Sequence, residues 1–392
     1  MGNFKQAILL KKEDEMPFLY FISKTSCIGL KSYERMQEYF MSPQEFYEAD
    51  TETLKKTGIF TLNQLKLIDD CKKKVDIMAE YKKAVDRGIR LISIDSEDYP
   101  KRLKHIKDAP PILFLKGEMM SGYMPTVSII GARECSVYGA NVARRLGELF
   151  AGAGVAVVSG MARGIDSISQ SAVIDAGGYS LALLGGGVDM VYPKESASLY
   201  HKLLKRGGVM SEHAPGTEPR PHFFALRNRL ISGLSDAVCV VEAKAQSGTL
   251  ITVDTALEQG REVYAVPGRI SDITSFGTNE LIRQGAGIIS DLDGFVNDFL
   301  NSFSYVKPEQ REKTVKEDDR PGLNFLTDNE KLTLKCADEE SVTADILSNK
   351  TGLPAYELIG ICLGLCQKGM FKNVGAGRFV ISERGVKIKE AL

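Results

Sequence analysis

Hydrophobic positions change their spacing three times along the chain, and each change predicts a different kind of element. From about residue 16 to 90, apolar residues recur three and four apart, as in Met36 and Phe40 or Leu62, Leu65 and Ile68. That spacing is the stripe of amphipathic helices. Gly29 in CIGLKS and Gly58 in KTGIFT break the stripe and predict turns in a helical domain spanning residues 1–90. Such a turn offers free N–H groups that suit a DNA phosphate, and it serves equally as a plain turn. The following segment sets the strand-like IRLISI and ILFLKG around a proline-bearing turn, and it reads as a docking connector.

Between residues 125 and 300 the pattern becomes short, wholly apolar runs separated by glycine-punctuated helical stretches: VSIIG, VAVVSG, YSLALLGGG, GVMSE, AVCVVEA, EVYAVPG and AGIIS. Strands apolar at every position are buried on both faces, which predicts a mainly parallel sheet with helices on each side. The expected fold is α/β: a doubly wound, Rossmann-like domain over residues 91–302. A charged, proline-containing stretch, VKPEQREKTVKEDDRPG, predicts a flexible linker over 303–324. Residues 325–392 then read as a helix, a turn, a helix and a two-stranded wing, the pattern of a winged-helix domain. Its candidate recognition helix, 354–368, is mostly apolar and carries Lys368 as its one basic residue. A base-reading helix usually shows more polar side chains near its start, so protein contact suits this domain better than duplex DNA.

The composition adds limits. The 392 residues carry a formal charge of −1, so affinity for nucleic acid must arise from local patches. Cysteines 27, 71, 135, 239, 336, 362 and 366 are scattered, without a CxxC pair or neighbouring histidines, which predicts reduced thiols and no metal site. No apolar stretch suits a signal peptide or a membrane span, so a cytoplasmic protein without membrane partners is expected.

In a doubly wound sheet, ligands collect beyond the carboxyl ends of the strands. Those ends read GARECSVYG, SGMARGID, GGGVDMVYPK, SEHAPGTEPRPHFFALRNR, EAKAQSGT and PGRISDITSFGTNELIRQGA. Glycines let a backbone approach an anion, and following helices present N–H groups. Arg133, Arg163, Lys194, Arg227, Arg229, Lys244 and Arg269 would converge on one edge. Residues 124–302 hold 15 Lys plus Arg against 18 Asp plus Glu, so these bases matter by position. Structural readings stand beside these. Asp166 fits a first-turn carboxylate, Phe223 and Phe224 fit core residues, and one of Arg227 and Arg229 fits a salt bridge. No Walker motif, HExxH, GxSxG elbow or other catalytic set is present, so no catalytic residue or cofactor is expected.

The motifs SIIGARECSVYG, VVSGMARGIDSISQSAVIDAGG, LGGGVDMVYPKES, FFALRNRLISGLSDAVCVVEAKAQSGTLIT and VYAVPGRISDITSFGTNELIRQGA, in this order, resemble the DNA-processing protein A family (DprA/Smf) across residues 90–300. The resemblance implies a non-enzymatic protein that binds and protects single-stranded DNA, loads the RecA recombinase during natural transformation, and forms homodimers through an extended Rossmann domain. It also implies a SAM-like helical domain before that domain and, in many members, a winged helix after it. Carried over, the DNA-contacting positions are Arg133 beside Gly131, Lys194, and the pair Arg227 and Asn228. Ser159, Gly160, Arg163 and Gly164 of SGMARG, with Ser247, Gly248 and Thr249 of SGT, would surround phosphates. Phe224, Arg229, Lys244 and the trio Gly277, Thr278 and Asn279 complete the expected interface. Ala132 stands where many members have serine. The absence of acids near Arg227 and Arg229 in sequence suggests guanidiniums free for phosphate.

Two other readings remain open. Phosphoribohydrolases share the strand-then-GT arrangement, but their PGGxGTxxE glutamate has no counterpart, because Ile251 and Thr252 lie where a carboxylate is expected. A Rossmann protein that senses a free nucleotide is the other.

Overall fold

A computed structural model describes residues 14–122, 124–303, 326–337, 342–368, 370–374, 378–382, 385–386 and 388–389. The amphipathic stripe near the N-terminus folds into six helices: α1 (14–24), α2 (Leu30–Tyr39), α3 (Pro43–Glu48), α4 (Thr51–Lys56), α5 (Leu62–Lys74) and α6 (Ile77–Asp86). Their starts are locally encoded. Ser42 and Asp50 cap α3 and α4, and Thr61 forms a capping box with Gln64 at α5. Gly58 takes a positive φ of 62° in the turn after α4. The aromatic cluster of Phe21, Phe40, Phe46 and Phe60 fills the centre of this bundle.

The segment read as a connector is instead part of the sheet. β1 (Ile89–Ser93) and β2 (Ile112–Gly117) pair antiparallel, with α7 (Lys101–Lys104) between them, and β2 pairs antiparallel with β6 (Gly208–Ser211). β3 (Thr126–Ile130), β4 (Ala156–Ser159), β5 (Ser180–Leu183), β7 (Ala237–Val240), β8 (Glu262–Ala265) and β9 (Gly287–Ile288) match the apolar runs in order. The strand order is β1-β2-β6-β5-β4-β3-β7-β8-β9, and all pairs from β6 to β9 are parallel. Helices α8 (Val137–Gly152), α9 (Ile165–Asp175), α10 (Ala197–Arg206), α11 (Pro221–Leu234), α12 (Gly248–Glu258) and α13 (Phe276–Arg283) make the crossovers, and α14 (Leu292–Ser302) follows β9. The chain winds outward from β3 in one direction through β4 to β6 and in the other through β7 to β9. The switch point of the Rossmann-like sheet therefore lies between β3 and β7.

One apolar core includes Phe18 and Phe21 of the helical bundle together with Phe114, Leu184 and Val209 of the sheet region. The bundle and the sheet accordingly belong to one compact unit, divided from a second between residues 309 and 310. Apart from residue 303, the expected linker lies outside the described residues.

The second unit contains α15 (Asp328–Cys336), α16 (Ala344–Thr351) and α17 (Ala355–Gln367). Strands β10 (Val342–Thr343), β11 (Phe371–Asn373) and β12 (Arg378–Ile381) form a sheet in the order β10-β12-β11. Leu334, Leu347, Leu358, Cys362 and Phe379 form its core, so Cys362 is a packing residue.

Candidate nucleic-acid interface

At the switch point the loops after β3 and β7 diverge and leave an open cleft of about 520 Å³. Gly131 and Arg133 reach it from the β3 end. Lys244, Ser247, Gly248 and Thr249 come from the β7 end, and Phe224 and Asn228 from α11. Arg133 is exposed and has no partner among the described residues. Its loop is held at several points: the Thr249 hydroxyl donates to the Gly131 carbonyl (3.2 Å) and Ile165 N–H to the Ala132 carbonyl (3.2 Å). Gly164 has φ 77°, and a Cβ there would sit 2.2 Å from the Ala132 oxygen, so the close approach of these two loops requires glycine.

The two helices that start at the switch point differ. The first turn of α8 is already occupied by the chain's own carboxylate. Glu242 is 2% exposed and accepts from Ser136 N–H (2.8 Å) and the Ser136 hydroxyl (2.5 Å). A Cβ on Gly139 would lie 2.5 Å from that carboxylate. A Rossmann protein places its dinucleotide phosphate at this helix start. Here a fixed negative charge stands in that position. At α12, by contrast, Ser247 caps the helix and Gly248 has open space beside it. Among the described residues the Lys244 ammonium meets only the exposed Glu134, at 3.9 Å. An anion entering the cleft therefore meets N–H groups and positive charge at α12.

Arg227 is not free for phosphate. It is 4% exposed, and its Nη1 donates to the carbonyls of Gly160 (2.9 Å) and Leu183. It reaches under the cleft to the ends of β4 and β5, where burial lowers its pKa to about 10. Asp166 supplies the compensating charge, and Arg133 opposes it as a like charge. Burial also pushes the Asp166 carboxyl up, against the pull of Arg227 and the Gly160 N–H donor (3.1 Å).

Arg229 is likewise taken. Glu212 accepts a bidentate pair from it (2.8 and 2.7 Å), and the Asp108 carbonyl accepts from Nη2 (3.1 Å). Both side chains of the Arg229–Glu212 pair are largely buried. These acids lie 17 and 61 residues away in sequence, which is why a local reading of RNR found neither.

The SGMARG loop also turns inward. Gly160 and Met161 spend their N–H groups on Asp166 and Gln170, and the Ser159 hydroxyl donates to the Ile129 carbonyl (2.7 Å). Arg163 is exposed but paired with Glu195 (2.6 Å). In the last strand-end loop Gly277 and Thr278 are buried, and Asn279 bonds the backbone of Gly268 in both directions (3.1 Å each). Gly277 and Thr278 offer no surface to a ligand, and the half-buried Asn279 spends its carboxamide on the Gly268 backbone. Lys194 is exposed and unpaired among the described residues, on the loop whose Tyr192 ring lies 5.3 Å from Phe224.

Tyr192, half-exposed beside Phe224, is a neighbour of the cleft that the sequence did not single out. Its signal is the YPK motif, whose lysine carries the charge. Phe223 stacks on His213, with centroids 4.0 Å apart. Among the described residues no cluster of three or more His, Cys, Asp or Glu side chains suits a metal, and no helix is long and apolar enough to cross a membrane.

The sequence profile described as "DNA recombination-mediator protein A" matches residues 90–300. DNA processing protein DprA of Bacillus subtilis is 42% identical over 214 residues, covering 54% of this chain and 71% of that protein. Protein Smf of Escherichia coli is 34% identical over 288 residues, covering 73% and 76%. The X-ray structure of Streptococcus pneumoniae DprA superposes with a TM-score of 0.61 at 30% identity, over 73% of this chain and 97% of that one. A Helicobacter pylori DprA structure, described for its single-stranded DNA binding mode, gives a TM-score of 0.50 at 27% identity, over 54% and 97%.

Proposed function

The chain belongs to the DNA recombination-mediator protein A family, and from that premise we propose that it binds single-stranded DNA along the carboxyl ends of its parallel strands without cutting or joining it. The observation that carries this reading is the switch-point cleft, where the unpaired Arg133 faces the open start of α12 and Lys244. Phosphate binds there through guanidinium, ammonium and N–H donors. Lys194 extends the basic edge. The Tyr192 and Phe224 rings offer a surface on which an unpaired base stacks, a contact worth roughly 1–3 kcal/mol per base. The Asn228 carboxamide, which has no side-chain partner among the described residues, faces the same cleft. The Helicobacter pylori relative's single-strand binding supports the assignment.

Loading of RecA onto that strand, protection of the strand, homodimer formation through the Rossmann-like unit and a cytoplasmic location complete the proposal. The helical bundle corresponds in it to a SAM-like domain. The second unit, with three helices and a small sheet, corresponds to a winged helix used for protein contacts.

The nucleotide-sensor reading is weaker because Glu242 stands at the start of α8. The hydrolase reading is weaker because Ile251 and Thr252 line the cleft where its carboxylate would be needed. The test is a pair of binding curves at equal salt for a single strand and a blunt duplex of the same length. The single strand is expected to bind more tightly, and equal affinity refutes the proposal.

A further inference from the structure

We infer that Glu242 is a positioning residue for DNA binding: its buried carboxylate holds the Arg133 loop in its phosphate-binding position, and this role outweighs the electrostatic cost of a negative charge beside the cleft. The inference rests on the single-strand reading of that cleft.

Glu242 lies two residues beyond Val240, the last residue of β7, and the loops it holds are those after β3 and β8. Its Oε2 accepts Ser136 N–H, and its Oε1 accepts both the Ser136 hydroxyl and, at 3.3 Å, the Thr274 hydroxyl. Ser136 ends the loop that carries Arg133 and also caps α8, its hydroxyl oxygen accepting from Gly139 N–H (3.1 Å). Thr274 lies on the loop after β8, and its carbonyl accepts from Ala243 N–H (2.8 Å). One carboxylate thus ties three strand ends together. No lysine or arginine pairs with it among the described residues, so its compensation comes from hydroxyl and N–H donors.

Two effects of Glu242 on a bound strand have opposite signs. As a charge near phosphate it repels, so its removal by itself would tighten binding. As an acceptor it fixes the loop, so its removal would free the Ser136 end and misplace Arg133. Glu242→Gln separates them. The amide keeps the size and removes the charge, but its NH2 group turns a donor toward donors that the carboxylate accepted, leaving fewer acceptors for Ser136 and Thr274.

The experiment is a salt titration of oligothymidylate binding by the full-length chain, with circular dichroism to establish folding. Wild type, Glu242→Gln, Arg133→Ala and the double variant are compared. The positioning role gives Glu242→Gln an affinity loss of about tenfold, as for one charge-assisted contact. The log–log salt slope becomes shallower by about 0.7. The double variant then binds no worse than Arg133→Ala, because both changes remove the same contact. Unchanged or tighter binding by folded Glu242→Gln overturns the inference, as does a loss that adds in full to that of Arg133→Ala. If Glu242→Gln does not fold, Thr274→Val removes the third donor without changing side-chain size, and unchanged affinity and slope then overturn the inference. Failure of the wild type to bind the oligonucleotide overturns the cleft reading itself, a separate result from a wild type that binds and a variant that binds equally well.

Discussion

Replacing Arg227 with Ala is expected to destabilise the protein. The side chain is 4% exposed, donates to the carbonyls of Gly160 and Leu183, and compensates the buried Asp166 carboxyl. Removing one partner of a buried charged pair costs about 3–5 kcal/mol, part of which reflects the desolvation penalty of groups left without partners. For a unit of roughly 300 residues the unfolding entropy is about 0.6 kcal/mol/K, so a loss of about 4 kcal/mol lowers Tm by about 6–7 °C. The deficit also depends on pH. Without Arg227 the folded Asp166 pKa rises further above its unfolded value of about 3.9, so stability is retained below that value and lost as pH rises toward the folded pKa. The assay is thermal and chemical unfolding of wild type, Arg227→Ala, Asp166→Asn and the Asp166→Asn/Arg227→Met pair at pH 4.5 and pH 8. The pair should recover part of the loss, because neither buried charge then stands alone. A folded Arg227→Ala of wild-type Tm that has lost DNA binding would refute the structural role and restore the direct phosphate contact.

Arg133→Ala and Lys194→Ala should keep wild-type stability and weaken single-strand binding, each flattening the log–log salt slope by about 0.7; unchanged slopes would place those charges off the strand. Arg229→Ala should lower stability by about 3–5 kcal/mol through the largely buried Glu212 left unpaired, with unfolding midpoints as the readout. Burial lowers the His213 pKa, so its contribution to stability is present above the unfolded value of about 6.5 and is lost as pH falls below it. Denaturation from pH 5 to 8 should show that slope in wild type and a flatter one in His213→Phe.

The local pattern in the sequence was enough to find seven parallel strands, the helices between them and the glycine-rich ends where chemistry gathers. Wholly apolar runs can be satisfied only by burial on both faces, and that demand is written in each run separately. The order of motifs also carried the family. The antiparallel extension by β1 and β2 was not legible, because ILFLKG acquires its place by pairing with β6, about 90 residues further on, and IRLISI by pairing with ILFLKG. The same holds for charge. RNR in α11 displays two guanidiniums without local acids, yet folding supplies Asp166 to one and Glu212 to the other. Arg133 and Lys194, equally basic, emerge unpaired among the described residues. Local sequence determined which residue types stand at the strand ends. Tertiary structure decided which of those bases remain available, because a charge is neutralised by whatever lies within a few ångströms, and that distance is set by the crossovers of the sheet.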